Sequence, residues 1–151
     1  MTAIREQVLA ALKARLETLL PAVSGLAVYR NRRSPMAAPA LDVRDGSQQT
    51  DSGNVQMKRN LMSVTVAGYV EANSDDEIGP ALNDLYGRVI DVLEADTSLG
   101  GVAFDLREQG LDVDLETNAD GAPLEKPAAW FYLSIDIEFT TSQGGSGQLA
   151  P

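Results

Sequence analysis

Residues 61–106 decide the fold, and they read LMSVTVAGYVEANSDDEIGPALNDLYGRVIDVLEADTSLGGVAFDL. The segment begins with an alternating pattern that places Met62, Val64, Val66 and Val70 on one face of an extended chain. The residues between them are mostly polar. A period of two is typical of a strand with one buried face, so the segment opens with a half-buried β-strand.

A helix is predicted directly after this strand. Ser74-Asp75-Asp76-Glu77 has the spacing of a capping box, and its carboxylates suit the positive end of a helix. Pro80 is tolerated in a first turn, so the helix begins either at Ser74 or at Gly79. A single apolar stripe, with residues three or four apart, comprises Ile78, Leu82, Leu85, Val89, Val92 and Leu93. The Gly-containing segment 96–101 ends the helix.

The N-terminal flank predicts another helix and two short strands. Apolar residues spaced by four indicate a first helix over residues 3–20, ended by Pro21. Strands are predicted at Leu26–Arg30 and Leu41–Arg44. The pair Asp45-Gly46 predicts a turn that closes the second of these strands.

Residues 46–60 (GSQQTDSGNVQMKRN) follow neither period and contain almost no large apolar side chain. A stretch of this kind is either a long functional loop or a projecting hairpin that continues the two strands around it. At the far end of the chain, Val102, Phe104 and Leu106 resume an alternating pattern. Residues 111–116 and 130–139 alternate as well, and the second run has an apolar face formed by Phe131, Leu133, Ile135, Ile137 and Phe139.

This order of elements predicts an α+β fold, in which a mainly antiparallel sheet carries two amphipathic helices on one face. A long loop or hairpin is expected to project from it. We expect a single domain over residues 1–142, followed by a flexible C-terminal tail, residues 143–151, of sequence QGGSGQLAP.

Composition excludes several function classes. The chain has 151 residues and a net charge of −10, which argues against general nucleic-acid binding. It has no cysteine, which excludes disulfides and thiolate catalysis, and no histidine to activate a serine. No apolar run approaches the ~20 residues needed to span a bilayer, so no membrane association is expected.

A serine–lysine mechanism stays open, but Lys13, Lys58 and Lys126 lie in contexts that indicate solvent, so carboxylates are the main candidates for chemistry. Asp112, Asp114 and Glu116 could in principle hold a hard cation such as calcium or magnesium. Their spacing of two is also what the solvent face of a strand produces, and no calcium-binding loop follows. We therefore predict no metal, no cofactor and no enzymatic activity.

Positive charge is concentrated in one segment. Residues 30–59 hold six basic and three acidic residues, a net charge of +3, which leaves −13 for the rest of the chain. A basic segment on an acidic body suits head-to-tail contact between copies, although a solvated loop has the same composition. Trp130 and Tyr132 share the outer face of the last strand, where aromatic residues favour an interface. The candidate interface residues are Arg30, Arg32, Arg33, Arg44, Lys58, Arg59, Trp130 and Tyr132.

The whole arrangement resembles the tail terminator proteins of long-tailed phages, prophages and gene transfer agents. The resemblance is carried by the opening amphipathic helix, by LDVRDGSQQTD (41–51), by residues 64–108, and by the closing strand FYLSIDIEFTTS (131–142). The most telling of these is residues 64–108, with the Leu-Gly-Gly at residues 99–101 after the second helix.

The resemblance implies a structural virion protein that forms a ring, commonly of six subunits, at the head-proximal end of the tail. Such a ring caps the tail tube, ends its polymerisation and joins the capsid neck, after assembly in the host cytoplasm. Its partners are then further copies of itself, the major tail tube protein and a neck or connector protein, while DNA only passes through the lumen. A related hypothesis is that acidic residues line this lumen and let DNA pass without sticking. Three alternatives stay open: a head–tail connector or other tail-completion subunit, a metal-dependent enzyme using the acidic row, and a ligand-binding module.

Overall fold

A computed structural model describes residues 3–33, 37–51, 57–116 and 126–142. Within these residues the chain forms two helices and five strands. In chain order they are α1 (Ile4–Glu17), β1 (Ala27–Arg30), β2 (Ala40–Asp51), β3 (Met57–Glu71), α2 (Asp75–Glu94), β4 (Asp105–Glu116) and β5 (Ala128–Ser142). The predicted tail at residues 143–151 lies outside the described residues.

The strands form one sheet in the order β1-β2-β3-β5-β4. Only β1 and β2 run parallel, and the other neighbours are antiparallel. The centre of the sheet is the β3–β5 pair, which extends from Met57 opposite Ser142 to Glu71 opposite Ala128. The predicted α+β class with a mainly antiparallel sheet is therefore confirmed.

Both helices lie on the same face of the sheet, as predicted. α1 lies over β1 and β2, and α2 lies over β3 and β5. The stripe of α2 is buried at Ile78, Leu82, Leu85, Val89 and Leu93, while Val92 is only partly buried. Each large apolar side chain buried in this way contributes about 1.5–3 kcal/mol relative to exposure, so the helix–sheet layer supplies the core.

α2 begins at Asp75, so the alternative start at Gly79 is wrong. Ser74 occupies the N-cap position, but its hydroxyl makes no capping hydrogen bond. Pro80 lies inside the helix rather than in its first turn. The missing N–H at Pro80 leaves the carbonyl of Asp76 without its helical donor. Both residues are exposed, so water can satisfy that carbonyl.

The Gly-containing turn after α2, residues 96–101, is held together by the side chain of Asp96. Its carboxylate accepts hydrogen bonds from the Ser98 hydroxyl and from the amides of Ser98 and Gly100. These bonds stabilise the charged form and lower the pKa of Asp96, the Ser98 hydroxyl having the largest effect. Gly100 and Gly101 have φ of 76° and 96°, values that glycine adopts without strain.

The predicted turn at Asp45-Gly46 is wrong. β2 continues to Asp51, and the register against β3 shifts between Asp45 and Gln48, which marks a bulge. Gly46 allows this bulge because a Cβ there would lie 2.0 Å from the backbone oxygen of Ser63. The alternative of a continued hairpin is therefore correct for the described residues, although its tip, residues 52–56, lies outside them.

A projecting arm is not confirmed. β3 pairs with β5 along the full described length of the hairpin, so a third strand flanks it. Buried Asn60 holds these three strands together. Its amide accepts from Gln48 and Thr50 and donates to the Phe139 carbonyl and the Thr141 hydroxyl.

Candidate functional site

The sheet face opposite the helices carries a group of aromatic side chains at its centre. Tyr69 of β3 lies directly opposite Trp130 of β5, and their ring centroids are 4.8 Å apart. Tyr132 follows on the same face of β5, stacked parallel to Trp130 at 5.9 Å. All three side chains are half-buried. Such pairs stabilise a sheet across strands, and they leave aromatic surface in reach of a partner.

Arg44 of β2 completes this group. Its guanidinium carbon lies 5.7 Å from the Trp130 centroid and 5.6 Å from the Tyr132 centroid, both within cation–π range. Its Nε donates to Asp42 at 3.1 Å. Asp42 is fully buried and also accepts from the amide of Arg32. We call Arg44, Tyr69, Trp130 and Tyr132 the aromatic–arginine patch.

The patch continues towards the β1 edge. Tyr29 is paired with Asp42 in the parallel register, so it lies on the same face as the patch. The guanidinium of Arg32 lies 4.2 Å from the centroid of the Tyr29 ring. Arg33 follows and is exposed. We call residues 30–33 the basic corner, because this short segment has the sequence Arg-Asn-Arg-Arg at one edge of the sheet.

The structure thus brings together three of the eight predicted interface residues, Arg44, Trp130 and Tyr132. Arg59 lies further along the same face, bound to Glu138, which raises the pKa of Arg59. Lys58 is half-buried in β3.

Arg30 has an intramolecular role on the helix side of the sheet. Its guanidinium bridges Glu6 of α1 and Asp45 of β2, the second at 2.8 Å. The hydrogen bonds to Arg30 lower the pKa of both carboxyl groups, and the same bonds raise the pKa of Arg30. Arg30 therefore fixes α1 on the sheet.

Tyr29, Asp42 and Tyr69 were not among the predicted site residues. Alternation already places Tyr69 on the outer face of β3, but only the strand register places it beside Trp130. Asp42 gives no sequence signal, because a lone aspartate in a strand is normally expected to face solvent.

A second uncovered surface lies on β4, the edge strand. Leu111, Val113 and Leu115 point to the helix side, yet they are 37%, 53% and 63% exposed. Their neighbours on β5, Leu133 and Phe131, are fully buried. We call these three residues the β4 row. Phe104, expected to continue the alternation, precedes β4 and is 73% exposed.

The described residues give little support for ligand chemistry. A cavity of about 480 Å³ lies near the start of α2, and it mixes apolar Val70 and Leu85 with charged Glu71 and Glu77. Across residues 3–33, 37–51, 57–116 and 126–142, no three acidic side chains gather into a candidate metal site. Asp112 and Asp114 are exposed on β4, and the Glu116 side chain lies outside the described part.

Neither described helix combines the length and apolar composition needed to cross a bilayer. In comparisons with known proteins, no family model matches this chain, and the search of curated proteins gives no significant match.

Proposed function

We propose that this protein is a structural subunit of a phage tail, which assembles into a ring that caps the tail tube and joins it to the capsid neck. The observation that carries the proposal is that one small sheet exposes two surfaces of different chemistry. One is the aromatic–arginine patch on its outer face, and the other is the acidic edge strand β4 with its apolar row.

Ring assembly and tube binding require different surfaces on each subunit. A head-to-tail contact joins one surface of a subunit to a different surface of the next, and it closes into a ring when the rotation allows. A further surface must then bind the tube. Aromatic and arginine side chains are enriched where protein interfaces derive most of their binding energy, so the patch suits this second contact. The sequence resemblance to tail terminators supplies the identity of the partner, the major tail tube protein.

In this proposal the protein is not an enzyme and needs no cofactor. The acidic body, with its net charge of −13 outside residues 30–59, lines a lumen that repels DNA and lets it pass. The protein resides at the head-proximal end of the virion tail, after assembly in the host cytoplasm.

The test is the mass of the purified protein across concentrations, measured by light scattering and combined with negative-stain imaging. We expect closed rings, commonly of six subunits, either alone or on the ends of added tail tubes. Binding to portal complexes rather than tubes would replace the terminator assignment with a head–tail connector. A monomer at every concentration that also ignores tail tubes would overturn the proposal.

A further inference from the structure

β4 is an edge strand with exposed apolar residues. It is the last strand of the described sheet, so the backbone groups that point away from β5 face no strand of the described chain. Natural edge strands are usually protected by charged side chains, especially lysine, or by proline, a bulge or short length. The acids of β4 disfavour pairing with another acidic strand, but they do not disfavour a basic partner. β4 spans Asp105–Glu116, its bulge lies between Glu108 and Gly110, and residues 111–115 contain neither lysine nor proline.

The β4 row adds apolar surface to this edge. α2 covers the beginning of the strand, where Leu106 is buried, but it leaves Leu111, Val113 and Leu115 uncovered. Alternating apolar residues in an edge strand have the pattern of a strand buried on one face. The row is therefore exposed although its sequence pattern is typical of a buried strand face. This is expected if another molecule covers it.

The net charge of β4 indicates which kind of molecule would bind beside it. β4 contains five acidic residues and one arginine, a net charge of −4. Pairing of two β4 strands would place these acids against each other, and like-charge contacts are costly. The opposite end of the sheet, at β1, leads into the basic corner, which has three arginines and no acid. Arg30 is held by Glu6 and Asp45. Arg32 and Arg33 are exposed, and the guanidinium of Arg32 lies over the Tyr29 ring.

We propose that β4 and its row bind a second copy of this chain, which docks through its basic corner. This inference rests on the self-assembly in the proposed function and names the contact between subunits. Because the acidic edge and the basic corner lie at opposite ends of one sheet, each subunit uses one of each. The contact is heterologous, as a ring requires.

The experiment is a charge exchange between two variants. Variant one carries Arg32→Glu and Arg33→Glu, and variant two carries Asp112→Lys and Asp114→Lys. In each variant alone, positions 32 and 33 of the corner and positions 112 and 114 of the edge carry charges of the same sign. In a ring in which the two variants alternate, these four positions carry opposite signs at every interface, so complementarity between them is regained.

We expect each variant alone to need at least about tenfold more protein for assembly, equivalent to about 1.4 kcal/mol. The equal mixture should return to the wild-type concentration. The matched control carries Asp84→Lys and Asp91→Lys, which makes the same charge change on the exposed side of α2. It should assemble at the wild-type concentration. Assembly is read by light scattering, and by the fraction of capped tubes if rings close only on tubes.

The outcomes separate the two proposals. Rings that form equally well with either variant, or two impaired variants that the mixture fails to rescue, overturn the contact between β4 and the basic corner while ring formation stands. A wild-type protein that never associates, with or without tubes, overturns both this inference and the proposed function. Unchanged circular dichroism of the variants confirms that they fold.

Discussion

Gly68 is required because the Phe131 ring crosses its backbone. The two residues are direct partners across β3 and β5, on the face that the helices cover. A Cβ at position 68 would lie 2.0 Å from Cε2 of Phe131 and 2.3 Å from Cζ. A rigid aromatic ring cannot yield at one atom as a flexible chain end does. Position 68 must therefore be glycine as long as position 131 is phenylalanine.

We predict that Gly68→Ala destabilises the protein by about 1–3 kcal/mol, because it overpacks the centre of the core. Urea unfolding measures the loss. Combining it with Phe131→Leu should cost less than the sum of the two single changes, since the smaller side chain gives the new methyl group room. Strict additivity of the two changes would contradict this account.

Gly87 of α2 provides the control. A Cβ there meets nothing within 4 Å, and alanine is the better helix former. Gly87→Ala should therefore stabilise the protein by about 0.5–1 kcal/mol. The same substitution thus has opposite signs at the two sites. Nothing in the local sequence of either glycine shows this difference, because it depends on the partner that the sheet register brings to Gly68.

At the scale of elements, the sequence predicts those that bury one face well. Alternation in β3 and β5 and the stripes of both helices identified the core correctly, because one covered face imposes a period on the sequence. The predicted second strand ends at Arg44, whereas β2 continues to Asp51. The sequence gives no signal for its second half, because that half has no single buried face. Residues 47–51 are exposed on both faces, so no alternation marks them as a strand. The pair Asp45-Gly46, common in turns, here forms a bulge.

β4 shows a second limit of prediction from local sequence patterns. Its alternation correctly predicts a strand, yet the apolar residues Leu111, Val113 and Leu115 are exposed in the structure, which the alternation does not show. In the candidate site, too, local spacing predicts some features and not others. Trp130 and Tyr132 could be placed on one face from spacing alone, whereas their contact with Arg44 depends on the order β2-β3-β5. Strand order is a long-range property that local patterns do not encode.

The attachment of α1 to the sheet predicts a pH dependence. Hydrogen bonds from Arg30 lower the pKa of Glu6 and Asp45 below their ordinary values of 4.5 and 3.8. A carboxyl group whose pKa is lowered by folding contributes stability above its unfolded pKa and loses it as the pH falls through the folded pKa. We therefore expect stability to decline as the pH falls below about 4.5, with a smaller decline in Arg30→Met.

Thermal unfolding between neutral pH and about pH 3 measures this difference. The control is Arg88→Met, which removes an exposed arginine paired with Asp84 within α2. Its pH profile should follow the wild type. A profile for Arg30→Met as steep as that of the wild type would show that the bridge to α1 contributes nothing to acid sensitivity.

For the whole molecule, the relevant feature is that the basic corner and the acidic strand β4 lie at opposite edges of the sheet. If copies associate as proposed, their net charge of −10 opposes the association, and contact between the basic corner of one subunit and an acidic region of another offsets part of this repulsion. Raising the salt concentration screens both the general repulsion and this specific attraction. Apolar contacts are less sensitive to salt than charge pairs, so in this proposal the β4 row supplies the part of the contact between copies that persists at high salt.

The single tryptophan makes the tube contact directly measurable. Trp130 lies in the aromatic–arginine patch, half-exposed beside Tyr69 and Tyr132. If the patch binds the tail tube, docking removes water from the indole ring. We then expect its emission to shift to shorter wavelength and its quenching by iodide to fall when tubes are added. Trp130→Ala should need about tenfold more protein, or more, to cap the same fraction of tubes, as hot-spot aromatics do.

The control for this change is Leu20→Ala, which removes an exposed apolar side chain after α1, outside the patch. It should cap tubes as the wild type does, and thermal unfolding should show that both variants are folded at the assay temperature. Emission from Trp130 that stays unchanged while tubes become capped would place the tube contact elsewhere. The ring contact is tested separately, by light scattering without tubes. This separation is needed because only the apolar β4 row lies on the face opposite the patch, whereas Asp112 and Asp114 lie on the patch face, opposite Tyr132 and Trp130.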